Sequence, residues 1–274
     1  MKIAFWSPIH GQTGTTSNIL VTAIITGMIY RKKSLLTQTQ FSFNNLEAPL
    51  VGSNSKNEGT TDYFRDVGLD SLIRSFKAAK LDRDAIENCC ISLSNTNLSL
   101  LPGTSKNNKD FFEFEMSTVL LNILKTMEGF HDVLFMDISA GDNALSMQII
   151  EDSNLTVVNL NQNMGVVDGF FANHRENIKG KVFYLFGNYD CNSKYNINNI
   201  RRRYKEITIS NSGVIPYNTS FLDAQCDGKV IDFMKENILC GKNDSNWYFI
   251  HKAKSATDKI RRLTGANTNR VERI

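Results

Sequence analysis

No apolar run in this chain is long enough to span a bilayer. The longest, Ile19 to Tyr30, is interrupted by Thr22, Thr26 and Gly27 and falls short of the roughly 20 apolar residues a crossing helix needs. Lys2 is followed by a short strand-like run and not by an apolar region with a cleavage site, so no secretion signal is expected and a cytoplasmic location is. Cysteine supplies no framework either. Cys89, Cys90, Cys191, Cys226 and Cys240 are odd in number and lack metal-ligand spacing, which fits reduced thiols. Cys89 and Cys90 would point to opposite faces of a strand, which favours structural thiols over a redox or iron–sulfur pair. His10, His131, His174 and His251 are scattered, and none pairs with a plausible metal partner. An excess of one charge is also missing. The net charge of +3 implies no nucleic-acid partner by itself, so what matters is where the charge sits.

What the chain does have is enough apolar material for a large core: 274 residues, 41% hydrophobic and 22% charged, in the range of ordinary soluble globular proteins. Strand-like and helix-like segments alternate, which predicts an α/β fold: a mostly parallel, doubly wound sheet flanked by helices. Strands are expected at Lys2–Trp6, Ser34–Thr37, Cys90–Leu93, Leu98–Leu101, Asp132–Asp137, Leu155–Leu160, Val182–Phe186 and Ile207–Ile209. Residues 42–66, rich in Asn, Ser and Gly, read as a long mobile loop. Helices are expected over Asp70–Ala79 and after the cap Asp82. Residues 110–127 should form another, with Phe111, Phe114, Val119, Leu120 and Leu124, and so should Trp247–Leu263. No repeat or linker interrupts the chain, so one domain over 1–274 is expected, with a basic helix and tail from about 247 to 274.

The segment His10-Gly-Gln-Thr-Gly-Thr-Thr-Ser17, between a buried strand and an apolar helix, has the make-up of a phosphate cradle. Gly11 and Gly14 let the backbone turn tightly, the amides from Gly11 to Thr16 can point inward, and the helix adds its positive end. Thr15 stands where a P-loop has lysine, so the G-x-x-x-x-G-K-[ST] pattern is not met.

Four further stretches fall in a telling order: Leu100-Leu-Pro-Gly103, the strand ending at Asp137 with Ile-Ser-Ala-Gly141 after it, Phe186-Gly-Asn188-Tyr-Asp190, and Gly213-Val-Ile-Pro216-Tyr. With the loop at His10–Ser17, aligned on K-G-G-x-G-K-T-T, they make a chain that resembles the ParA/MinD family of deviant P-loop ATPases, which includes the TadZ and CpaE pilus-assembly proteins. The likeness runs over nearly the whole length. It implies ATP or ADP with Mg²⁺, held by His10, Gly11, Gln12, Thr13, Gly14, Thr15, Thr16 and Ser17. Thr16 would ligate the metal, Asp137 would hold a metal-bound water, Asn188 would read adenine, and Pro216 would pass near the base.

The departures from the family fall on charged positions. Thr15 and His10 replace the two loop lysines, and Thr37-Gln38-Thr39-Gln40 replaces a D-x-D strand end. Gln38 and Gln40 can orient a water but cannot take its proton, which leaves them weak catalytic candidates. Retained or weakened nucleotide binding with very slow or absent turnover is expected. The resemblance further implies a homodimer that positions a partner assembly, either DNA in partitioning or a pilus or secretion complex. From His251 onward Lys252, Lys254, Lys259, Arg261, Arg262, Arg270 and Arg273 outweigh Asp258 and Glu272, and could meet DNA, anionic membrane or nothing beyond the domain itself. Two alternatives stay open: a scaffold that keeps the fold without nucleotide, and, ranked last, a metabolic enzyme on a related fold.

Overall fold

Residues Lys2–Trp6 (β1) are buried at every position, as happens in a parallel strand covered by helices on both faces. The computed structural model describes residues 1–39, 46–52, 67–104 and 108–265, apart from the side chains of Lys109 and Phe111. Along these residues β1 is followed by α1 (Thr15–Ile29), β2 (Ser34–Gln38), α2 (Glu47–Val51), α3 (Leu69–Lys77), α4 (Arg83–Asn88), β3 (Ile91–Ser92), β4 (Leu98–Leu101) and α5 (Lys109–Glu128). Then come β5 (Val133–Asp137), α6 (Ala144–Asp152), β6 (Leu155–Leu160), α7 (Met164–Asn173), β7 (Val182–Tyr189), α8 (Ile197–Arg203) and β8 (Ser212–Pro216). The helices α9 (Thr219–Cys226), α10 (Val230–Asn237) and α11 (Trp247–Leu263) complete the order.

Among the described residues one eight-stranded sheet runs β3-β4-β2-β5-β1-β6-β7-β8. All neighbours are parallel except β3 with β4. The period-two alternation of the strands sorts their side chains into two cores. Ala4, Trp6, Leu134, Met136, Tyr184 and Phe186 meet α3 to α8. Ile3, Phe5, Phe135, Val157, Phe183 and Leu185 meet α1, α2 and α9 to α11. Helix α1 is buried without a break from Asn18 to Gly27, because it is pressed between the sheet and α11. β1 lies between β5 and β6, and the chain leaves it in one direction for β2 and later continues on its other side through β6. In open α/β sheets the crevice at the carboxyl ends of strands at such a reversal is where ligands bind.

Several expectations change on contact with the structure. Ile207–Ile209 is not a strand. Ile209 is 72% exposed, and the Asn211 side chain accepts from the Thr208 amide (2.7 Å) and the Thr208 hydroxyl (2.9 Å). Side chains that bond their own turn compete with a ladder, so the edge strand begins only at Ser212. Phe114, expected in the α5 core, is 69% exposed, and Phe112 and Met116 fill that core instead. The loop read over 42–66 contains the short helix α2 within its described part. The Asp82 cap is present, its carboxylate accepting from the Ala85 amide at 2.8 Å. The thiols of Cys89 and Cys90 are both pushed up by burial, Cys90 to about 12, which leaves them unreactive. Among the described residues no helix is long and apolar enough to cross a membrane.

The C-terminal helix ends at Leu263, and Arg270 and Arg273 lie outside the described residues. Its apolar face (Phe249, Ile250, Ala253, Ala256 and Ile260) is buried in the core it shares with α1. Much of its charge is used within the molecule: Lys254 donates to the Ile238 carbonyl, and Asp258 pairs with Arg261 and Arg262.

Candidate functional site

β1 delivers the chain to Ser7 at the carboxyl edge of the sheet, and α1 starts at Thr15, immediately after Gly14. Gly14 has φ +67° and α1 has no side-chain cap at its N-terminus. The positive φ favours glycine, and the missing cap leaves the first-turn donors open. Among the described residues, none of the backbone N–H groups from His10 to Ser17 donates to a protein acceptor. They border a cavity of about 450 Å³ whose lining includes His10, Gly11, Thr13, Gly14, Thr15, Thr16, Ser17 and Asp137. Ala48 and Pro49 of α2 and Leu222, Gln225 and Cys226 of α9 wall its other side.

The loop is held from behind by small polar side chains. The Thr13 hydroxyl donates to Ser7 Oγ at 2.9 Å and lies 3.0 Å from the Thr15 hydroxyl. Thr15 therefore belongs to a neutral hydroxyl cluster with Ser7 and Thr13. Asn18, buried, donates to the Thr13 carbonyl (3.3 Å) and to Asn159 Oδ1 (2.9 Å), and Asn159 donates in turn to the Trp6 carbonyl (3.1 Å). Asn161 donates to the Gln12 carbonyl at 3.1 Å. Ser17 donates to Gln225 Oε1 at 2.8 Å, which ties α9 to the start of α1.

Asp137 ends β5, level with Phe5 of β1 and Gln38 of β2. The Thr16 hydroxyl donates to its Oδ2 at 2.8 Å. Burial pushes the carboxyl up to about 7, and the Thr16 hydrogen bond only partly opposes this. A carboxylate kept in a dry site gains most from a cation. Thr16 spends its proton on Asp137 and keeps lone pairs for a metal. These hard oxygen donors suit Mg²⁺, which commonly completes its shell with water and substrate phosphates. No three His, Cys, Asp or Glu side chains converge there among the described residues, so phosphate oxygens would have to share the ion.

Not every residue singled out in the sequence faces the cavity. Asn188 stands in a bulge of β7 with φ +48° and is exposed. Its side chain lies 3.4 Å from where a Cβ on Gly14 would be, so it abuts the loop from the β7 side. Pro216 is buried in β8, level with Tyr189. Gln38 is buried and its amide oxygen accepts from the Leu46 amide at 2.9 Å, which commits it to holding α2. Gln40 lies outside the described residues.

Sequence reasoning passed over four residues that shape the loop: Asn18, Asn159, Gln225 and Gly187. A Cβ on Gly187 would sit 2.2 Å from the Thr13 carbonyl oxygen and 2.6 Å from Asn18 Nδ2. The glycine directly before Asn188 was the available signal. The asparagines carried none, because each is linked to the loop only by the fold.

Neither a protein-family model nor a curated protein sequence matches this chain. Solved structures do. The septum site-determining protein MinD from Pyrococcus horikoshii, complexed with Mg-ADP, superposes with a TM-score of 0.68 at 15% identity, covering 98% of this chain and 100% of that one. A ParA family ATPase from Chlorobium tepidum gives 0.70 at 13% identity, over 93% and 98%. MinD in the MinC:MinD cell division complex of Aquifex aeolicus gives 0.60 at 14% identity, over 100% and 99%. The chain therefore has the P-loop fold of the ParA/MinD type.

Proposed function

We propose that this chain binds ATP or ADP with Mg²⁺ in the cavity under the loop from Ser7 to Ser17, and hydrolyses ATP very slowly or not at all. The observation that carries this reading is the run of amides from His10 to Ser17, without acceptors among the described residues, at the start of α1. Such amides and a helix N-terminus suit phosphate. Thr16 and Asp137 line the same cavity, where their oxygens could share a Mg²⁺ ion with phosphate. The same cavity supports slow turnover, because no lysine or arginine lines it among the described residues. Binding can rest on amides and a metal ion, but charge developing on a transferred phosphoryl group needs cations already in place.

At the scale of the whole molecule, we read the chain as a nucleotide-gated homodimer that positions a partner assembly, in partitioning or in a pilus or secretion complex. Support comes from the fold it shares with MinD bound to Mg-ADP and with MinD in complex with MinC. On the nucleotide side Tyr217 is 57% and Leu222 42% exposed, which suits a protein contact beside the cavity. For α11, a protein or DNA surface suits better than a membrane, since its apolar face is already covered.

Titration calorimetry with ATP and ADP, with and without Mg²⁺, tests the reading. Micromolar binding is expected, weakened about tenfold by Asn188→Ala. Thr15→Lys should tighten binding about ten- to hundredfold by supplying the missing charge. No detectable binding at millimolar nucleotide would overturn the proposal and leave a scaffold without its ligand.

A further inference from the structure

The open edge of the sheet carries a second cavity with chemistry of its own. Among the described residues β8 pairs with β7 alone, and beside it, between α8 and α11, lies a cavity of about 270 Å³. Asn198 and Arg201 of α8, Tyr248, Lys252 and Lys259 of α11, and Tyr189 of β7 are among its lining residues, and among the described residues no aspartate or glutamate lines it. It shares no lining residue with the loop cavity.

Two of its cations are fixed by neutral acceptors. Arg201 donates through Nε (3.0 Å) and Nη2 (2.8 Å) to Ser212 Oγ, and through Nη1 (3.2 Å) to Asn198 Oδ1. The Ser212 hydroxyl gives its own proton to the Thr208 carbonyl, so its lone pairs are committed to the arginine. Lys259 Nζ donates to the Ser212 carbonyl at 3.0 Å, capping an edge carbonyl of the sheet. A guanidinium has five N–H donors and an ammonium three, so both groups keep donors in reserve. The third cation, Lys252, sits 5.5 Å from the centroid of the Tyr248 ring and has no hydrogen bond or ion pair among the described residues.

The carboxylates on the neighbouring helices are paired with other cations: Asp258 with Arg261 and Arg262, and Asp168 with Arg203. Burial, together with the charges of Arg201 and Lys252, holds the Lys259 ammonium below its ordinary value. Burial does the same to Arg201. Partly desolvated cations without a counter-charge are costly, and an anion with several oxygen acceptors would relieve the cost through charge-assisted hydrogen bonds.

We propose that this cavity is a binding site for the phosphoryl group of a small ligand, with Arg201 and Lys259 as pre-positioned donors and Lys252 as the third cation. Its volume is below that of a pocket for a drug-sized molecule, and admits inorganic phosphate or the head of a short phosphate ester. The site is independent of the nucleotide reading.

The test is calorimetric titration with inorganic phosphate and with glycerol phosphate, at ionic strength held constant with chloride. It uses the wild type and a Gly14→Val protein whose loop site is blocked. One saturable site is expected in Gly14→Val. Binding of phosphate alone would identify the free ion, and tighter binding of glycerol phosphate an ester. Arg201→Gln and Lys252→Met should each weaken binding about ten- to hundredfold, while leaving ATP affinity of the otherwise wild-type protein unchanged. Arg202→Gln removes the same charge from a side chain that, among the described residues, bonds Asn199 alone, and should have little effect. Lys252→Met removes no hydrogen bond, so its melting temperature should match the wild type and a loss of binding would not reflect unfolding. Absence of a saturable phosphate site overturns the proposal. So does equal weakening by Arg202→Gln, or duplex DNA binding lost alike in all three variants without phosphate saturation, which would mark a diffuse basic surface.

Discussion

Gly187→Ala is expected to destabilise the protein by about 2–4 kcal/mol and to abolish tight nucleotide binding together with it. The added methyl would meet the Thr13 carbonyl oxygen at 2.2 Å and Asn18 Nδ2 at 2.6 Å. The first of these is backbone in the middle of the loop, and the second is the side chain that holds that backbone. Neither can swing aside as a lysine tip would. Relief requires β7 and the loop to separate, which loosens the Asn18 hydrogen bonds to Thr13 and Asn159 and disturbs the amides that face the cavity. For a chain of this size the melting temperature should fall by about 5–15 °C. Thermal melts and the nucleotide titration check both halves of the prediction. A variant that melts with the wild type and binds as tightly would show that the close approach of β7 to the loop has no energetic weight.

Asp137→Asn is expected to stabilise the ligand-free protein at alkaline pH and to remove the contribution of Mg²⁺ to nucleotide affinity. The carboxyl is pushed up from an ordinary 3.8 to about 7, so between those values the folded protein holds a proton that the unfolded chain has released. The stability this proton provides is greatest at the acid end of that window and is lost as pH rises through 7. The shift sets a ceiling of about 4 kcal/mol at 1.36 kcal/mol per pKa unit. Water entry and relaxation around the charge bring the expected difference to about 1–3 kcal/mol. An asparagine keeps an oxygen for the Thr16 hydroxyl and carries no charge at any pH. Urea midpoints at pH 5.5 and pH 8 should therefore diverge between the two proteins, with the wild type losing more on going to pH 8. Parallel shifts would show that the Asp137 charge is already well solvated. Mg²⁺ should repay the burial cost in the wild type alone, and calorimetry with and without the metal reads this directly.

Both effects turn on residues that differ in how far the sequence announces them. Asp137 stands out as a carboxylate at the end of an apolar run, and the loop as two glycines between a strand and a helix. Gly187 looks like any glycine beside a turn until β7 is laid against the loop. The helix α1 is legible as an apolar segment, yet its burial on all sides follows only from α11 packing over it. The misread strand at Ile207–Ile209 shows the limit from the other side. Local β-propensity was present, but Thr208 and Asn211 satisfy one another within a turn, and the pairing with β7 starts at Ser212.

The sequence by itself determined the α/β architecture, the order of strands and helices around the loop, and the absence of a lysine at Thr15. All of these are carried by local periodicity and residue type, which act over a few positions. Tertiary structure alone decided that Gln38 secures α2, away from the cavity, that Asn18 and Asn159 brace the loop from beneath, and that Arg201, Lys252 and Lys259 share one cavity with no carboxylate among its described lining residues. Those facts depend on hydrogen bonds and electrostatic fields between residues far apart in the chain, which no local pattern encodes.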